Sequence, residues 1–465
     1  MSNYLIPIEE LKAKCYDPNN AESVVSFAKQ LLNESLRSRL SPEEIALSNT
    51  GKGDFGNLLE AGYFKVKNNN ESRPDIPECG IEIKSGQVKI VRSTQDVLKE
   101  RLKISMIDYM GGFEATNLQE SLLWPKLEKI LLLLFRKNGL SLRIDEKCVF
   151  SDLLSWTQDD IKQMSEDWLH IRHMVMDGKA NELSEGHTWY LGACTAGANS
   201  TTLRDAPKGI RAKVRAFSLK TPYLNFKLGY SFNIRGPKAL LLPKTGQTLD
   251  EYILSNMNTF FGKPLDQVAS SIGRAELSES FAKNMRSKVA RALLEEIAGK
   301  HTADISTDFE QFRKAGVIEK AIALERNGNL IECISFPAFK WKELDEEVNW
   351  EDSELYGLLT NKFFFTVYQK TSTTMPILIG CFFWTMPLKD LESMRQLWMD
   401  TKEKIRTGRY DDFIKKSQHD VGHVRPHAKN SLDTYPTPQG GAQSKKSFWL
   451  NNDYIKDIAV KALKL

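Results

Sequence analysis

The amino-acid sequence predicts an α/β protein of two tandem domains, each with a mixed central sheet. Three observations carry this. The same landmarks recur twice in one order. Short β-patterned runs alternate with helical stretches. The chain is also 465 residues long, more than one ordinary core accommodates.

The repeat comes first. Leu58-Leu59-Glu60 returns as Leu293-Leu294-Glu295, and the segment from Glu78 to Lys84 (ECGIEIK) returns from Lys314 to Lys320 (KAGVIEK). Lys126, before the apolar run LEKILLLLF, is paired with Lys362, before FFFTVY. Trp156 and Trp168 flank an acidic stretch, as do Trp384 and Trp398, and the segment from Phe217 to Tyr223 is echoed from Phe448 to Tyr454. The offset runs from 228 (Trp156 to Trp384) to 236 (Glu78 to Lys314). Constant order and offset together indicate duplication of one unit. Gly236, Pro237, Pro243 and Gly246 mark a linker. The expected domains are 1–232, a linker at 233–247, and 248–465.

Each copy is expected to run helix, strand, strand, helix, strand, helix. In the first copy, residues 22–39 read as a helix and 53–63 start another. Residues 80–90 alternate as a strand does. Residues 130–135 read as a buried strand, and 159–177 as an amphipathic helix.

Composition is that of a soluble globular chain, with 41% hydrophobic and 27% charged residues and a net charge of +4. A local basic strip says more than the net charge. Arg204, Lys208, Arg211, Lys213, Arg215 and Lys220 stand against a single Asp205, a pattern that suits a phosphate backbone and equally suits a solvated loop. Cys15, Cys79, Cys148, Cys194, Cys333 and Cys381 form no CxxC pair and read as reduced thiols. No signal-peptide pattern opens the chain, and the longest apolar run is far short of the ~20 residues that span a bilayer. A cytoplasmic protein with no membrane partner is expected.

Residues 80–84 carry the chemistry. Period-two alternation sends Ile81 and Ile83 to the core and Glu82 and Lys84 together toward a cleft. Asp75, after Pro74, leads into that strand. Two carboxylates can hold Mg²⁺, a hard cation that prefers oxygen ligands, with the Ile83 carbonyl as a further donor. Such a metal polarises a phosphodiester and activates water, while Lys84 orients the water and offsets developing charge. Glu60, on the preceding helix, is a candidate third metal ligand or a strut for one. A Glu-x-Lys triplet alone is equally what a same-face surface ion pair looks like.

The strings GKGDFGNLLE (51–60) and RPDIPECGIEIK (73–84) resemble the signature of the MutH family of GATC endonucleases, within the PD-(D/E)xK superfamily. The segments at 178–204, 211–220, 423–427 and 446–456 resemble its type II restriction-enzyme branch, typified by Sau-three-A-I. The resemblance implies two tandem MutH-like restriction-endonuclease folds and Mg²⁺-dependent cleavage of double-stranded DNA at GATC. It implies catalytic roles for Asp75, Glu82, Lys84, Glu60 and Lys126, with Asp75, Glu82 and Glu60 at the metal. It places Lys52 near DNA. It points to the loop at 192–204, with Asn199 and Arg204, as following the restriction enzymes rather than MutH. Partners implied are duplex DNA, a second chain on that DNA, and a cognate methyltransferase in the same restriction-modification system.

Within the second copy, Ile318 stands for Glu82 and Gln311 for Asp75. Lys320 and Glu295 persist, and Glu319 falls on the opposite strand face. This copy is expected to be catalytically inactive and to serve DNA binding or regulation. His423, Arg425, His427 and Lys429 are its candidate DNA contacts, read as a basic loop. Pro426 argues against a helical zinc pair of His423 and His427. Two alternatives remain: a MutH-like strand nickase of mismatch repair, and a DNA-binding protein without nuclease activity.

Overall fold

A computed structural model describes residues 3–46, 54–67, 72–91, 95–98, 100–139, 142–196, 202–229, 238–239, 241–244, 246–279, 284–299, 308–371 and 375–465. The chain divides into two compact units, Met1–Asn233 and Ile234–Leu465. Part of the expected linker belongs to the second unit, where Lys238–Ala239 pairs with Asp308–Phe309.

The first unit holds a four-stranded mixed sheet in the order Gln95–Leu98, Glu82–Val91, Ile130–Arg136, Lys147–Leu153. Its central pair is parallel and its outer pairs antiparallel. Ile130 to Phe135 are fully buried, which is why a parallel central strand reads as one unbroken apolar run. An antiparallel sheet of Leu102–Met106, Arg215–Leu219 and Leu191–Thr195 lies in the same unit. Helix Gln158–Met176 opens on a capping box of Thr157 and Asp160, which satisfies two otherwise orphaned backbone donors.

The second unit repeats this plan. Ile318–Leu324 and Phe363–Gln369 form its parallel pair, and Ile377–Trp384 is antiparallel to the latter. Its second sheet orders Ile334–Ser335, Lys446–Leu450 and Gly422–Pro426 as the first unit orders its counterparts. Both copies carry a 19-residue helix after the sheet's last strand, Gln158–Met176 and Leu388–Arg406.

Two expectations need correction. The helix read over 22–39 stops at Lys29. Asn33 takes a left-handed φ of 67°, its N–H donates to the Cys148 carbonyl at 2.8 Å, and Cys148 N–H donates to the Glu34 carbonyl at 2.8 Å. Tertiary pairing with the neighbouring strand overrides helix propensity there. The match of Lys126 with Lys362 is also off by three. Ile130 lies opposite Glu82 as Phe363 lies opposite Ile318, so Lys362 corresponds to Lys129.

Candidate active site

A tight turn brings Asp75 to Glu82. Ile76 and Ile81 exchange both backbone hydrogen bonds, at 2.9 and 3.0 Å. Gly80 closes the turn with a φ of 72°, a conformation that costs a side-chain-bearing residue about 1 kcal/mol or more. The Asp75 carboxylate then accepts the Ile83 N–H through Oδ2 at 2.8 Å. Asn3 Nδ2 donates to the Asp75 carbonyl at 2.5 Å, tying the chain's beginning to the site. Sequence reasoning missed Asn3. Its partner is 72 positions away, and no local pattern signals such a contact.

Glu82 starts the central strand and is 1% exposed. Lys84 Nζ contacts its Oε1 at 2.5 Å and Lys126 Nζ the same oxygen at 3.6 Å. Lys126 sits on the short helix Trp124–Leu127. Glu82 Oε2 is buried and, among the described residues, has no hydrogen-bond partner. Burial holds the Glu82 carboxyl above the usual range, against the pull of Lys84 and Lys126. Burial works to lower Lys84, but Glu82, Asp75 and Glu60 outweigh it and keep the ammonium above its ordinary pKa.

Glu60 lies on the π-helical turn Leu58–Tyr63, an irregularity that often marks functional positions. Burial and then the charge of Asp75 push its pKa up to about 7, with Lys84 acting in the other direction. The structure therefore gathers Asp75, Glu82, Lys84, Lys126 and Glu60 in one electrostatic neighbourhood.

The donor set fits a hard divalent cation. A buried carboxylate oxygen without a partner costs roughly 1–3 kcal/mol or more, and a metal ion satisfies it. Among the described residues no three His, Cys, Asp or Glu side chains form a ready cage. Two carboxylates, a backbone carbonyl and waters are what Mg²⁺ accepts.

The second copy holds the same frame with different contents. Val317 N–H donates to the Phe312 carbonyl at 2.8 Å, as Ile81 does to Ile76, and Gly316 repeats Gly80 with a φ of 67°. Gln311 thus takes the place of Asp75, and its amide is latched to the Leu241 backbone at 3.2 and 2.7 Å. Glu295 is buried against Arg274 at 3.4 Å, and Glu319 pairs with Arg291 at 2.9 Å. Among the described residues Lys320 has no hydrogen-bond or ion-pair partner, and burial lowers its pKa.

The expected DNA contacts divide by burial. Lys52 and Asn199 lie outside the described residues. Arg204 and Arg211 are exposed and Lys213 half-buried on the hairpin Leu203–Ala206 and Ile210–Lys213. Arg215 and Lys220 are corrected from DNA contacts to supports of the sheet. Both are buried, Arg215 donating to the Ala193 carbonyl at 2.8 Å and Lys220 to that of Thr188. His423 is corrected likewise. It lies in strand Gly422–Pro426, not a loop, and its Nδ1 is bonded to Asn451 at 2.6 Å. Arg425 remains exposed, with its guanidinium 3.6 Å from the Trp449 ring centroid, while His427 and Lys429 are exposed.

The six cysteines are free thiols, and among the described residues no helix is long and apolar enough to cross a membrane.

Two comparisons bear on these observations. The sequence profile of the DNA mismatch repair enzyme MutH matches residues 64–167, which include Asp75, Glu82, Lys84 and Lys126. The chain is also 28% identical over 492 aligned positions to the type II restriction enzyme Sau3AI of Staphylococcus aureus. That alignment covers 94% of this chain and 97% of the relative, so both units take part in it.

Proposed function

Starting from the fact that this chain belongs to the MutH/Sau3AI family of site-specific deoxyribonucleases, we propose that its first unit cleaves double-stranded DNA at GATC with Mg²⁺. The observation that carries this reading is Glu82: a buried carboxylate with one oxygen shared by two lysines and the other without a partner among the described residues. It lies beside Asp75 at the opening of a central strand.

Asp75 and Glu82 would hold the metal, with Glu60 at their side. When bound, the metal supplies Lewis-acid polarisation of the phosphodiester and a more acidic water. Lys84 keeps its proton, so its ammonium stays available to orient the attacking water and to face the negative charge that builds on the phosphoryl oxygens. Lys126 brings a second cation to the same carboxylate edge. The turn at 76–81 and the Ile83 N–H fix Asp75 before substrate arrives, which lowers the entropic cost of assembling the site.

One such constellation per chain implies that two chains meet on duplex DNA to cut both strands. Arg204, Arg211 and Lys213 present cations for the backbone. The second unit, without Glu82 and Asp75 counterparts, binds DNA and directs the first. A methyltransferase of matching specificity would protect the host's own sites. The alignment with Sau3AI extends through the second unit, which favours a restriction enzyme over a strand nickase.

The test is digestion of DNA of known sequence with Mg²⁺, followed by run-off sequencing of the ends. Linear product with both strands cut at GATC is expected. Ends elsewhere would overturn the specificity, and nicked circles alone would favour the nickase.

A further inference from the structure

The second copy retains the lysine of the first but has replaced the two nearest carboxylates that lysine serves, Glu82 and Asp75. On strand Ile318–Leu324, Lys320 occupies the position of Lys84, two residues after the first pair of the parallel ladder. The carboxylates that hold Lys84 are replaced by Ile318 and by Gln311, whose amide is turned onto the Leu241 backbone. The carboxylates that remain nearby are taken. Arg274 holds Glu295 and Arg291 holds Glu319. Aligned on Leu58-Leu59-Glu60 and Leu293-Leu294-Glu295, Arg291 stands where the first copy has Gly56, so a cation has been added to the helix that faces this strand. The first two positions of the strand are less buried in the second copy: Ile318 and Glu319 are half-buried, whereas Glu82 and Ile83 are each 1% exposed, and Lys320 is half-buried as Lys84 is.

A half-buried ammonium without a counter-ion is unfavourable in the free protein and becomes favourable when an anion arrives. Position identifies the anion. The strand register puts Lys320 where the first copy has Lys84, the ammonium that on the function proposed above faces a phosphodiester. We propose that the vestigial site of the second unit is a phosphate pocket, in which Lys320 takes a backbone phosphodiester of a DNA duplex without cleaving it. This deepens the reading above, since it rests on the second unit binding DNA. The duplication would thereby have exchanged a cation site for an anion site on one backbone frame. The pocket reads no sequence. It fixes the register of the duplex, and base recognition falls to other residues of that unit.

The test uses the full chain with EDTA, so that no cleavage occurs, and a short duplex carrying one GATC. Wild type is expected to bind two duplexes per chain. Lys320→Met should weaken the second binding event and reduce the slope of its log affinity against log salt by about 0.9, one phosphate's share, while leaving the first event unchanged. Lys320→Arg should retain the slope. A second measurement needs no variant. Limited acetylation of the wild-type chain, read by mass spectrometry, should modify Lys320 readily, because burial without a counter-ion favours its neutral amine. The duplex should protect it, whereas inorganic phosphate at equal phosphorus concentration should not. Two duplexes bound with equal slopes in Lys320→Met and wild type would overturn the pocket alone. Equal protection by inorganic phosphate would overturn the assignment to DNA. A single duplex per wild-type chain would overturn the DNA-binding role of the second unit, and the pocket with it.

Discussion

Glu82 and Ile318 hold one position in two copies of the same sheet. Glu82 lies opposite Ile130 and Ile318 opposite Phe363, each at the first pair of a parallel ladder. The N–H of each donates to a lysine carbonyl, Lys129 or Lys362, at 2.9 Å in both cases. The backbone frame is therefore preserved while the carboxylate is lost. On the function proposed above, catalytic capacity resides in a few side chains and not in the frame that carries them.

Lys84 is expected to contribute to stability as well as chemistry. With Lys84→Met, Glu82 keeps only Lys126 at 3.6 Å beside a buried charge. Removing one partner of a buried pair costs about 3–5 kcal/mol. Thermal unfolding in EDTA should show a clear loss. Added Mg²⁺ should recover part of it, because the cation takes over the carboxylate, while cleavage stays abolished. A melting curve identical to wild type in EDTA would contradict the pairing.

Glu60 gives a pH signature in the metal-free protein. Its folded pKa of about 7 lies above its ordinary value of 4.5. The folded state therefore binds the proton more tightly than the unfolded state does. The stability this confers is complete below about pH 4.5 and is lost as pH rises through about 7, with a ceiling of about 3 kcal/mol. Glu60→Gln should flatten that loss in EDTA. Unfolding followed from pH 4 to 8.5 checks it, and parallel curves for wild type and variant would refute the shifted group.

Exposed and buried basic residues should separate in their effects. Arg211 is on the surface, paired with exposed Asp205 at 3.4 Å and donating to the Leu203 carbonyl at 3.5 Å. Arg211→Ala should leave the melting temperature unchanged and reduce the salt slope of DNA binding by about 0.9 if it meets one phosphate. Lys220, 4% exposed and bonded to the Thr188 carbonyl, should behave the other way. Lys220→Met should lower stability by about 1–3 kcal/mol by leaving that carbonyl unsatisfied. Chemical denaturation alongside DNA titration at several salt concentrations distinguishes the two.

Much of this was legible in the sequence, for identifiable reasons. The strand at 80–90 follows from its alternation, the run at 130–135 from its unbroken apolar character, and the helix at 159–177 from its amphipathic pattern, so local rules find them. The duplication was legible because it repeats landmarks in order, and Gly80 and Gly316 show why the shared glycine matters. What escaped depends on distant contacts. The break after Lys29 arises from pairing with Cys148, more than a hundred positions away. The burial of Arg215, Lys220 and His423 has the same origin. A charge strip in sequence lists cations without saying which face the solvent. The three-residue error at Lys126 and Lys362 arose because apolar runs slide against each other without penalty until strand register fixes them.

The central claim is that each chain has one active site, organised by Glu82, and that the second unit cannot substitute for it. The most direct measurement is cleavage of a single-GATC duplex by full-length Glu82→Gln at saturating Mg²⁺, with DNA binding followed in parallel. Cleavage is predicted to fall by at least about 10³-fold while affinity for the duplex changes little. Cutting at a rate near wild type would contradict the account.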